Sequence, residues 1–179
     1  MVMINTNWVV ITGPPSSGKT SLINKLQELG YLICPEVARE IICYTLRSGF
    51  LQSQLSRNSL ALQREILAVT LRREHLLAPE EMIFFDRGIP DSIAYFNFHH
   101  FNPQVALKAC EFRRYAHVFY CEGLPVIQDS IRLEDDDIAK KIGELIITAY
   151  ESLGYSLIHL PAVSLQERLQ LVMNYLHLK

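Results

Sequence analysis

The residues Gly13-Pro14-Pro15-Ser16-Ser17-Gly18-Lys19-Thr20 place two glycines, a lysine and a hydroxyl in the spacing G-x-x-x-x-G-K-[ST], directly after the apolar run Trp8–Ile11. A loop that wraps anionic oxygens needs backbone N–H groups pointing inward and no Cβ blocking the approach, which glycines supply. Pro14 and Pro15 carry no N–H, so the donors are expected from Ser16, Ser17, Gly18, Lys19 and Thr20, with the proline pair stiffening the start of the loop. Leu22, Ile23, Leu26 and Leu29 then recur at helical spacing, which puts bound phosphates at a helix N-terminus. In that arrangement Lys19 sits on the β- and γ-phosphates and Thr20 holds Mg²⁺ through its hydroxyl. The bland alternative is a Gly-Pro turn ahead of an ordinary helix, and the strand before and helix after weigh against it.

Three further clusters follow apolar runs. Asp86-Arg87-Gly88-Ile89-Pro90-Asp91 emerges directly from Met82–Phe85. A carboxylate at that point can hold a Mg²⁺ water or accept a proton from an attacking hydroxyl, and Arg87 can grip phosphate oxygens as a planar fork. Alternatively Asp86 caps the next helix and Arg87 pairs with Asp91 four residues on. Glu36 and Arg39 follow the run ending at Cys34; Glu36 can take a hydroxyl proton and the pair can orient an acceptor, though an exposed helix start with an acid in its first turn looks the same. Arg132, after His117–Cys121, can close over a transferring phosphoryl group, or simply pair with Asp129 or Glu134. The acidic run Glu134–Asp137 reads as helix capping and a solvated face. His99-His100 lacks a third ligand at useful spacing, and the pairs Arg72-Arg73 and Arg113-Arg114 are assigned to amphipathic helices.

The elements that must position these groups alternate. Trp8–Thr12, Tyr31–Cys34, Met82–Asp86, His117–Cys121 and Tyr155–Leu160 read as strands. Glu36–Ser48, Ser56–Leu77, Asp91–Phe98, Pro103–Tyr115, Asp137–Leu153 and Ser164–Leu178 read as helices, with Gly49 stopping one and Ser56 starting the next. Strands apolar at successive positions, such as Ile83-Phe84-Phe85, suit a parallel sheet covered on both faces. In such sheets ligands sit beyond the carboxyl ends of the strands, where all the clusters above fall. With 179 residues and 49% hydrophobic content, one α/β domain over residues 1–179 is expected, with a helical insertion around 36–79. Near-balanced charge, 17 basic against 19 acidic side chains, gives no electrostatic reason to expect nucleic acid or a membrane surface as partner. Four cysteines without C-x-x-C or zinc spacing, and no uncharged apolar run of about 18 residues, point to reduced thiols and a cytoplasmic protein without a membrane span.

Taken together, the phosphate loop, Glu36-Val37-Ala38-Arg39-Glu40-Ile41, Phe85–Asp91, Asp129-x-x-Arg132 and Leu153-Gly154-Tyr155 with Leu160-Pro161 resemble the P-loop nucleoside and nucleotide kinases. More narrowly they are similar to the AAA-like ATPase/kinase domains that include relatives of the ribosylnicotinamide kinase domain. That resemblance runs from Val9 to about Leu176. It implies a three-layer P-loop NTPase fold with a five-stranded parallel sheet in the order 2-3-1-4-5 and helices on both faces. It also implies ATP or GTP on the loop with Mg²⁺ at Thr20 and Asp86, an acceptor near Glu36, Arg39, Arg87 and Asp91, and a connection around Pro161–Ser164 beside the purine base. Lys19 and Arg132 would stabilise charge, and Glu36 or Asp86 would serve as base. No Asn/Thr-Lys-x-Asp guanine signature is present, and the expected lid carries one arginine, Arg132. The leading expectation is transfer of the γ-phosphoryl of Mg-ATP to a nucleoside-like or other small acceptor. The competing one is a nucleotide-dependent switch that hydrolyses ATP or GTP slowly and signals to a protein partner.

Overall fold

Strands β2 (Val9–Thr12), β4 (Ile83–Asp86) and β6 (His117–Cys121) are buried at nearly every position, because apolar and aromatic side chains occupy both of their faces. They form the centre of a parallel sheet in a computed structural model that describes residues 3–47, 60–123 and 133–178. β3 (Leu32–Cys34) and β7 (Leu157–Leu160) complete it at the edges, where burial is only partial. The order is β3-β4-β2-β6-β7. Counted over these five strands alone this is the expected 2-3-1-4-5. In the central strands Ile11 pairs with Asp86 and with Phe119, and Thr12 with Tyr120.

Helices cover both faces. α1 (Lys19–Glu28) and α7 (Leu165–Tyr175) close one side over Val9, Ile11, Phe84 and Phe119. On the other side α3 (Leu60–Leu76), α4 (Ile89–Phe98), α5 (Gln104–Ala109) and α6 (Leu133–Ser152) pack on Trp8, Val10, Phe85 and Val118. The Trp8 indole N–H donates to Ala78 O at 3.0 Å, which satisfies the one polar atom of a fully buried ring. α2 (Val37–Arg47) leads away from the end of β3.

One expected helix is shorter than its pattern. Pro103–Tyr115 is helical only over Gln104–Ala109; Arg113–Arg114 instead form strand β5, paired in parallel with β1 (Ile4–Asn5) in a small second sheet. The reason is tertiary. Thr6 N–H donates to Arg114 O at 2.9 Å, and the Arg114 guanidinium bonds the Leu153 carbonyl and stacks 3.9 Å from the Tyr155 ring centroid. A further turn of helix would forfeit these. The expected helix stop at Gly49 and start at Ser56 lie outside the described residues. The four cysteines carry no disulfide, and of these Cys43 is exposed rather than in the core. Among the described residues no helix is long and apolar enough to cross a membrane.

Candidate functional site

The phosphate loop turns on glycines because its backbone demands it. Gly13 has φ +142°, and a Cβ there would lie 2.4 Å from the Cys121 carbonyl oxygen. Gly18 has φ +82° and is the N-cap of α1, and Ser16 takes φ +61° without being glycine, a strained backbone of the kind found at ligand clamps. Pro14 has a packing role: a Cβ on Gly143 of α6 would sit 3.5 Å from the Pro14 Cβ and 2.6 Å from the Tyr120 hydroxyl, so only glycine lets that helix approach so closely.

Lys19 is buried within its own loop, donating to Pro14 O at 2.6 Å and Ser17 Oγ at 3.1 Å. Burial, and then the Arg87 charge, lower its pKa to about 7. Thr20 Oγ1 donates to Asp86 Oδ2 at 2.8 Å, joining the helix start to the end of β4. Asp86 is 4% exposed, and its second oxygen, Oδ1, is buried without a hydrogen-bond partner. Burial, then Glu36, raise its pKa. A half-satisfied buried carboxylate beside a hydroxyl is a hard-oxygen donor pair of the sort Mg²⁺ accepts together with phosphate oxygens and water.

Arg87, at φ +74°, bonds Glu36 Oε1 through Nε at 2.9 Å, and its NH1 reaches both the Gly13 carbonyl at 3.2 Å and Asp91 Oδ1 at 2.9 Å. It thus spans the phosphate loop and Glu36, with the Tyr95 ring centroid 5.4 Å from its guanidinium carbon. Arg39 reaches the other oxygen of Glu36 at 3.7 Å and is exposed.

Asp91, an expected acceptor contact, already has its oxygens engaged within the protein. It is 3% exposed and accepts from Thr12 Oγ1 at 2.6 Å, Arg87 NH1 at 2.9 Å, the Gly88 N–H at 3.0 Å and the Tyr150 hydroxyl at 2.7 Å. Two donors on each oxygen leave no lone pair for a substrate. Asp91, which also lines the cleft, braces Arg87 and caps the N-terminus of α4 through the Gly88 N–H. Arg132 lies outside the described residues.

These groups share one cleft of about 1110 Å³, running from Pro15–Thr20 past Glu36, Arg39, Asp86 and Arg87 to a wall made by Gln63, Ile66 and Thr70 of α3 and Tyr95, Phe98 and His99 of α4. The sequence reading missed several contributors. Gln63 is 6% exposed on that wall, and its only signal was a polar side chain on the buried side of α3. Thr12 and Tyr150 hold Asp91 from distant elements and gave no local signal. Arg168, an arginine among the apolar positions Leu169 and Val172 of α7, donates to carbonyls of three separate loops. Behind the cleft, Tyr115 links the Ile89 N–H to Glu74, whose carboxyl is pushed by burial up to about 7.

A doubly covered parallel sheet carrying a phosphate loop, with Thr20 joined to the carboxylate at the end of the neighbouring strand, defines a P-loop domain of kinase-like fold. Solved structures agree. A deoxyadenosine kinase from M. mycoides with products dCMP and dCDP bound superposes with TM-score 0.66 at 16% identity, covering 95% of this chain and 98% of that one. A thymidylate kinase from Ehrlichia chaffeensis gives 0.69 at 12% identity, covering 96% and 98%. The NadR protein in complex with NR gives 0.69 at 15% identity, covering 97% of this chain, which spans about half, 52%, of that protein. The profile of the AAA domain family matches residues 8–168, and the chain belongs to that family. By sequence, no curated protein matches it.

Proposed function

We propose that this chain is a small-molecule kinase that moves the γ-phosphoryl of ATP to a hydroxyl of a nucleoside-like or other small acceptor. The observation that carries the reading is the chain of contacts Glu36–Arg87–Gly13, which fixes a carboxylate base and a guanidinium fork against the phosphate loop itself. Structural kin that handle nucleosides and nucleotides support the acceptor class.

In this reading the N–H groups of Ser16 to Thr20 hold the phosphates, and Lys19 follows the charge from the β- to the γ-phosphate. Thr20 and the free oxygen of Asp86 would hold Mg²⁺, which would supply neutralisation of the phosphate charge. Arg87 orients Glu36, and Glu36 takes the acceptor's hydroxyl proton as its oxygen bonds to the γ-phosphorus and the bond to the β-phosphate oxygen breaks. Gln63, with two amide donors and one acceptor, and the faces of Tyr95 and Phe98 suit a planar polar group at the acceptor end. The test is release of ADP and GDP from ATP and GTP, with and without a panel of nucleosides and nucleoside monophosphates. Stimulation by one acceptor, lost in Lys19→Ala and in Glu36→Gln while Glu36→Gln still binds ATP, is the expected result. Slow turnover that no acceptor stimulates would overturn the kinase in favour of a nucleotide-dependent switch.

A further inference from the structure

Arg168 lies in the first turn of α7, and its side chain runs back toward the helix N-terminus, as helical side chains do. Arg168 is 2% exposed, and among the described residues its side chain bonds only neutral backbone carbonyls. Nε donates to Pro161 O at 2.8 Å, NH2 to Glu122 O at 2.8 Å, and NH1 to Ser17 O. These carbonyls belong to the loop after β7, the loop after β6 and the phosphate loop. The Ser17 carbonyl shares its peptide group with the N–H of Gly18, one of the donors available to phosphate. A cation bonded to the carbonyl end of a peptide polarises its N–H end and makes it a stronger donor. A buried cation whose partners among the described residues are neutral carbonyls also favours an anion nearby.

We propose that Arg168 is a positioning residue that sets and polarises the Ser17–Gly18 peptide of the phosphate loop from behind, and locks that loop to the connection after β7. Anionic phosphate on the cleft side then completes a charge arrangement that the described residues leave open. This rests on the reading of the cleft as a nucleoside triphosphate site.

The experiment titrates ATP and tripolyphosphate calorimetrically into wild type, Arg168→Gln and Arg168→Lys, with melting temperatures of the unliganded proteins recorded alongside. Arg168→Gln is expected to weaken both ligands by the same factor, about tenfold, because a charge-assisted contact behind the phosphates is lost. Arg168→Lys, which keeps the charge, is expected to recover part of that loss and to shift the Gly18 amide resonance. A lowered melting temperature with both affinities unchanged marks a plain structural staple and overturns the inference. Should Arg168→Gln fail to fold, unchanged tripolyphosphate affinity and an unmoved Gly18 resonance in Arg168→Lys overturn it as well. Failure of wild type to bind either ligand brings down the triphosphate reading and this inference together, whereas tight wild-type binding with indifferent variants brings down this inference alone.

Discussion

Asp86 and Asp91 stand five residues apart on one strand-turn-helix unit, both almost wholly buried, and they differ in a single respect. Asp91 has two donors on each oxygen, drawn from β2, the turn, α4's own N-terminus and α6. Asp86 has one donor, Thr20, and an oxygen that nothing in the described residues satisfies. A saturated buried carboxylate holds a scaffold together; a half-satisfied one is held in readiness for something that arrives later. The contrast separates a saturated carboxylate from an open one, although sequence spacing suggests chemistry for both.

The largest effect should come from the saturated partner. Asp91→Ala leaves Arg87, Thr12, Tyr150 and the Gly88 N–H without an acceptor, and removing one partner of a buried pair costs ~3–5 kcal/mol. Denaturant titration should show that loss whether or not nucleotide is present; a variant with wild-type stability would break the comparison.

Asp86→Asn should behave in the opposite way. Its unliganded stability should stay near wild type, because the residue it replaces was desolvated and only half bonded. Its Mg²⁺-dependent turnover should fall by about a hundredfold, the scale seen when one electrostatic contact to developing charge is removed. Stability and single-turnover rates measured on the same preparation would sharpen the distinction.

A smaller effect concerns Lys19. Its pKa in the unliganded protein is lowered to about 7, and phosphate binds the protonated ammonium. Binding must therefore raise that pKa and take up a proton whenever the pH lies above about 7. Triphosphate affinity should be fullest below that value and decline as the pH rises through it. Calorimetry at pH 8 in two buffers of different ionisation enthalpy should reveal the uptake, which should be absent at pH 6 and in Lys19→Ala.

Much of this arrangement was legible before any coordinates. The spacing of Gly13, Gly18, Lys19 and Thr20 announced the loop, and the apolar runs at β2, β4 and β6 announced a sheet buried on both faces. Glu36, Asp86 and Arg87, marked by their positions at strand ends, do line one cleft. Each of these signals is local, a few residues whose types and spacing constrain backbone and burial on their own. What stayed hidden spans the chain. Arg168 reaches Ser17 across 151 positions, and Tyr150 reaches Asp91 across 59. Arg113–Arg114 left their helical pattern because Ile4–Asn5 offered a strand to pair with. Local patterns were enough for the phosphate-loop motif, the alternation of strand and helix and the charged residues at the ends of the strands. Which carboxylate is saturated and which is open followed from the packing, because a side chain's partners are supplied by elements that no local pattern brings together.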